Sequence, residues 1–144
     1  MNYIIEAILV GFYSVLIYIF INLLNIKNFF IVLFSCGFIK HFLAYIIGLH
    51  ALYCKYGTAC VSEATNVSEA IIFIKNKYNI IITSIGEGLL YLLVGSILHI
   101  ICYNKYIIMF FIGFMLHIIF EILGIHKYFC INYCAQSKNR NINK

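Results

Sequence analysis

Four long apolar runs, residues 3–24, 29–53, 80–103 and 106–130, take up most of the chain, and each is hydrophobic all round rather than along one stripe. At 1.5 Å of rise per residue, each would cross a hydrocarbon core of about 30 Å as a helix. Helices are favoured over buried strands because the runs exceed roughly 20 residues and lipid offers no partner to an open sheet edge. The first run is longer than the apolar core of a cleaved signal and has no basic segment before it, so it reads as a retained anchor. The expected fold class is all-α, a four-helix transmembrane bundle.

The pattern repeats. GFIKHFLAYIIGLHALYC, residues 37–54, and GFMLHIIFEILGIHKYFC, residues 113–130, align without gaps 76 positions apart and share Gly37/Gly113, Phe38/Phe114, His41/His117, Ile46/Ile122, Gly48/Gly124, His50/His126 and Cys54/Cys130. Chance would give roughly one or two such identities, so a duplication is the simpler explanation. The preceding runs agree more loosely, with Glu6 and Glu87 as the matched acids. The unit is a helical hairpin, and two passes per unit make the tandem copies parallel, related by a pseudo-twofold along the membrane normal. The organisation expected is a first hairpin over 1–54, a connection with a short interfacial helix over 55–79, a second hairpin over 80–134 and a polar tail over 135–144. Small residues mark packing seams at Gly11 and Ser14, Ala44-x3-Gly48, Ser84-x3-Gly88 and Gly95-Ser96.

Polar residues inside the runs are the candidate chemistry. A central Lys costs about 2.5–3.5 kcal/mol on insertion, so Lys40 should face the bundle interior, with Glu87 or Glu121 as partner. His117 and Glu121, one turn apart, share a face and can hydrogen-bond. With His41 and His99 these form a candidate intramembrane network of Lys40, His41, Glu87, His99, His117 and Glu121. A proton relay, an ion path or a metal site would use such groups; a paired network that only fixes helix register would need the same residues.

Of the six cysteines, Cys36 and Cys102 lie within spans and read as small core residues. Cys54, Cys60, Cys130 and Cys134 gather at one end. His50-x3-Cys54 and His126-x3-Cys130-x3-Cys134 set soft ligands one turn apart, which suits a tetrahedral zinc site, the one cofactor the residues suggest. Disulfides are the alternative, and four cysteines allow three pairings, within each repeat or crossing between them. Cys130 with Cys134 would need the helix to end there. The lack of a Cys-x2-Cys motif weighs against a thiol oxidoreductase.

Composition agrees with the pattern. Charged residues are only 10% of 144 and hydrophobic ones 64%, too little polar surface for a water-soluble globule. The net charge of +5 forms no dense basic stripe, so no nucleic-acid partner is expected; the partners expected are the bilayer, further copies of the chain or other membrane proteins. Lys55, Lys75, Lys77, Lys127, Lys138, Arg140 and Lys144 fall on the side of both termini, against Lys27 and Lys105 on the other, which predicts N-in, C-in. Asn66-Val67-Ser68 is a glycosylation sequon that would act only if the connection faced a lumen, and such tripeptides are common by chance. Asn66 with Glu69 also resembles a capping box.

No Asp, nucleophile elbow, HExxH or phosphate-binding Gly-rich loop is present, and the expectation is a protein that is not an enzyme. At KHFLAYIIGLHALYCKYGTAC, residues 40–60, the chain resembles uncharacterised multipass membrane proteins of large nucleocytoplasmic DNA viruses, which carry an HFLxYxxGxHxxYCxxGxAC string. That resemblance implies an endoplasmic-reticulum-derived or virion membrane, and cysteines oxidised by a viral thiol oxidase at the cytosolic face. It carries no catalytic residues with it.

Overall fold

The computed structural model describes residues 2–60 and 80–134. The helices are α1 (Tyr3–Asn22), α2 (Phe29–Ile46), α3 (Leu49–Tyr56), α4 (Ile80–Ile101), α5 (Lys105–Ile122) and α6 (Ile125–Phe129), followed by a π turn over Cys130–Cys134. The expected all-α bundle is the observed one: α1, α2, α4 and α5 are each long and apolar enough to cross a membrane. Asn66 with its sequon and capping box, and the tail 135–144, lie outside the described residues.

Asparagines start α1, α2 and α5, because the first-turn N–H groups have no intrahelical acceptor and lipid supplies none. Asn28 Oδ1 accepts from the N–H groups of Phe30 and Ile31 at 3.0 and 3.4 Å, and Asn104 does the same for Tyr106 and Ile107 at the same distances. The two caps stand 76 positions apart, the spacing of the sequence repeat.

The expected second and fourth spans, residues 29–53 and 106–130, are shorter than the apolar runs. Each is cut at the repeated glycine, with φ +79° at Gly48 and +71° at Gly124, a backbone that residues bearing a Cβ avoid. Gly48 therefore breaks a helix rather than completing the expected Ala44-x3-Gly48 seam. As a result α3 and α6 fold back across the end of the bundle, and His41 and His117 lie toward that end of their spans.

α1 packs chiefly on α5, and α2 on α4, the two contacts a pseudo-twofold exchanges. A Cβ on Gly11 would meet the Phe110 ring at 2.9 Å and its carbonyl at 3.0 Å; one on Gly88 would meet Phe34 identically. These glycines are 77 apart, which corrects the looser pairing of Glu6 with Glu87: the geometric counterpart of Glu87 is Val10, and that of Glu6 is Thr83. Ser14 and Tyr91, also 77 apart, meet each other at the axis through a 2.5 Å hydrogen bond.

The molecule is inside out relative to a soluble bundle. Glu6, Ser14, Lys40, Ser84, Glu87 and His117 are buried beside Leu33, Ile112 and Met109, while Phe12, Phe20, Leu93 and Ile100 point outward. Only 28–39% of each span is buried, so most of its apolar surface needs an apolar solvent.

Candidate functional site

The buried charges form two groups, one on each side of the pseudo-twofold. On the first, Lys40 Nζ is ion-paired with Glu87 Oε1, and His41 Nδ1 lies 2.6 Å from Glu87 Oε2. Lys40 also sits 5.0 Å over the Tyr91 ring, and its carbonyl accepts from the Tyr13 hydroxyl at 3.2 Å. Gly37 makes this possible by letting α2 approach the backbone of Glu87 and Gly88. Of the two partners expected for Lys40, Glu87 is the one used.

On the other side, His117 Nε2 stands 3.5 Å from Glu6 Oε2, and the second Glu6 oxygen accepts from both the N–H and the hydroxyl of Thr58, at 2.8 and 2.5 Å. Each duplicated histidine thus faces a glutamate from the first helix of the opposite repeat, but the two glutamates differ by one turn. The expected His117–Glu121 bond is not formed. The break at Gly124 returns His126 toward the bundle, and His126 Nδ1 takes Glu121 Oε2 at 2.8 Å. His99 also departs from the expected network: it lies at the opposite end, 4.6 Å from the Phe29 ring.

The repeated His-x8-His spacing acquires its meaning from these breaks. His41 and His50 bring their rings to 4.9 Å, and His117 and His126 to 4.4 Å. An aromatic from the opposite repeat covers each pair: Phe129 lies 5.4 Å from His50, and Tyr53 5.4 Å from His126. Burial, and then the neighbouring His41 ring, hold His50 down to about 4. Burial, then the Glu121 and Glu6 carboxylates, push the Tyr53 hydroxyl up.

Above the histidines, Cys54 is bonded to Cys134 and Cys60 to Cys130, with Cα separations of 5.4 and 5.1 Å. This is one of the two connectivities that cross between the repeats, and the pseudo-twofold exchanges its two bonds with each other. Cys60 and Cys134 sulfurs are 3.7 Å apart, and Cys60, Cys130 and Cys134 keep their ligating atoms within 4.8 Å. A metal held here would take thiolates released by reduction. His50 and His126, expected among the ligands, are engaged beneath with aromatic rings instead. Cys36 is buried and outside any disulfide, the core residue expected; Cys102, also outside any disulfide, lies one residue past the end of α4 and is only partly buried.

Between cap and spans lies a cavity of about 760 Å³ that reaches Glu6, Lys40, His41, His50, Tyr53, Glu87, His117 and His126. Glu6, Tyr53 and Thr58 were not among the residues singled out as a site. An acid within an apolar run was the available signal for Glu6; nothing in the sequence marks Tyr53 or Thr58. No protein family, curated protein or solved structure matches the chain.

Proposed function

We propose that the chain is a non-enzymatic component of a viral or virus-modified membrane, a bundle whose two hairpins are locked together outside the bilayer. The carrying observation is the pair of crossed disulfides, each tying the first repeat to the second. The viral setting rests on the resemblance at residues 40–60. By sequence, the connection after the first hairpin and the segment after the second carry Lys55, Lys75, Lys77, Lys127, Lys138, Arg140 and Lys144, against Lys27 and Lys105 in the two turns, which favours a cytosolic cap, and oxidation there calls for a thiol oxidase at that face. A structural role is favoured over a redox one because the cysteines form closed pairs without a Cys-x2-Cys motif.

Side-specific alkylation tests this reading. Thiols at Cys54 and Cys60 should react from the cytosolic side only, and only after reduction, while the purified protein turns over no thiol, quinone or lipid substrate. Glycosylation at Asn66 or catalytic turnover would refute it. Proton carriage is a second reading, favoured by the Glu6–His117 pair lining the cavity, whose facing atoms lie 3.5 Å apart with no hydrogen bond among the described residues. It requires liposome proton flux that rises with acidity and is abolished in the His41→Ala, His117→Ala double variant.

A further inference from the structure

Among the described residues, three buried polar atoms on side chains lining the cavity have no hydrogen-bond partner: the Tyr53 hydroxyl, and Glu6 Oε2 and His117 Nε2, which face one another at 3.5 Å. Glu6 is 3% exposed and His117 7%, so solvent does not satisfy them in place of protein. Buried polar groups left unpaired are costly, and several converging on one apolar cavity mark a place where a ligand completes the bonding. The remaining wall includes Leu9, Ala44, Leu49, Leu52, Leu90 and Leu116. At about 760 Å³ the space has the size of a small-molecule site.

The chemistry of the three atoms selects the head group. Glu6 Oε2 accepts, the neighbouring Thr58 donors already being spent on Oε1. Tyr53 can donate, and His117 Nε2 can do either. A hydroxyl serves all three, donating toward Glu6 or His117 and accepting from Tyr53. A carboxylate or phosphate would face the Glu6 carboxylate. An ammonium would meet Tyr53, His117 and, across the cavity, Lys40, whose charge Glu87 already balances. We propose that this cavity binds a lipophilic molecule ending in a neutral hydroxyl, with Glu6, His117 and Tyr53 holding the head and the leucine-lined wall holding the tail.

The test uses the full chain, oxidised, in nanodiscs, with three photoreactive diazirine probes of one C16 tail ending in hydroxyl, carboxylate or amine. The alcohol should label saturably, be displaced by excess hexadecanol, and label roughly tenfold more than either charged probe, the discrimination expected of a satisfied against an unsatisfied buried group. Adducts should map to peptides carrying the cavity wall. Tyr53→Phe, which removes one oxygen and little volume, and His117→Phe should each lower labelling several-fold, with both disulfides retained on non-reducing gels. Leu93→Ala, on the lipid-facing surface, should not. Equal labelling by the three probes, lack of competition, indifference to Tyr53→Phe and His117→Phe, or failure of the alcohol to label would each overturn the proposal.

Discussion

At the scale of single residues, close approach and charge pairing decide what can change. A Cβ on Gly37 would stand 2.7 Å from the Glu87 carbonyl and 2.9 Å from the Gly88 Cα, both backbone atoms that cannot swing away. Gly37→Ala should cost about 1–3 kcal/mol in detergent unfolding. Gly86→Ala, whose Cβ meets nothing within 4 Å, should be neutral or slightly stabilising. Lys40→Met alone leaves the buried Glu87 carboxylate with His41 as its remaining partner and should cost about 3–5 kcal/mol, whereas Lys40→Met with Glu87→Leu should recover most of that loss. For His50 the sign follows from its depressed value. The unfolded chain takes up a proton near 6.5 and the folded one only near about 4, so stability should fall as pH drops across that window. Thermal melts of His50→Phe should lose that part of the pH slope.

At the scale of elements, the glycine breaks set the site. Gly48 and Gly124 hold φ near +75°, at +79° and +71°, where a Cβ costs about 1–2 kcal/mol. A straight helix would carry His50 and His126 along the span axis, beyond reach of His41 and His117. The Gly48→Ala, Gly124→Ala double variant should therefore lose the crossed pairing, read by peptide mapping as disulfides other than Cys54–Cys134 and Cys60–Cys130. The spans themselves were legible from the apolar runs, since length and the absence of a polar face say enough. The breaks within two of them were not, because Gly48 and Gly124 sit in apolar surroundings with no neighbouring Pro or polar turn residue. Gly95, likewise inside a run, stays helical.

At the scale of the whole molecule, the crossed disulfides close loops of 80 and 70 residues of sequence separation. Native disulfides of small domains contribute about 2–5 kcal/mol each, and less is expected here because inserted spans already restrict the unfolded chain. Reduction should thus lower the melting temperature without releasing the protein from the membrane. Reduction frees four thiols, of which the Cys60, Cys130 and Cys134 sulfurs lie within 4.8 Å of one another, so the reduced protein should take up about one zinc ion per chain and the oxidised protein none, as read by elemental analysis after gel filtration. Zinc uptake by a Cys60→Ser, Cys134→Ser variant at the same stoichiometry would place the metal elsewhere.

The amino-acid pattern alone determined that four apolar helices cross a membrane as two parallel hairpins, because run length, hydropathy and a 76-residue repeat are one-dimensional properties. It also placed Lys40 and His41 inside the bundle, since charge in an apolar run has nowhere else to be satisfied. Which acid each base meets was decided only in three dimensions. Glu87 rather than Glu121 serves Lys40, and Glu6 rather than Glu121 faces His117, because α2 packs on α4 and α1 on α5, while the turn at Gly124 gives Glu121 to His126. The cysteine pairing is of the same kind: three connectivities satisfy the sequence, and only the folding of α3 and α6 across the pseudo-twofold brings Cys54 to Cys134 and Cys60 to Cys130.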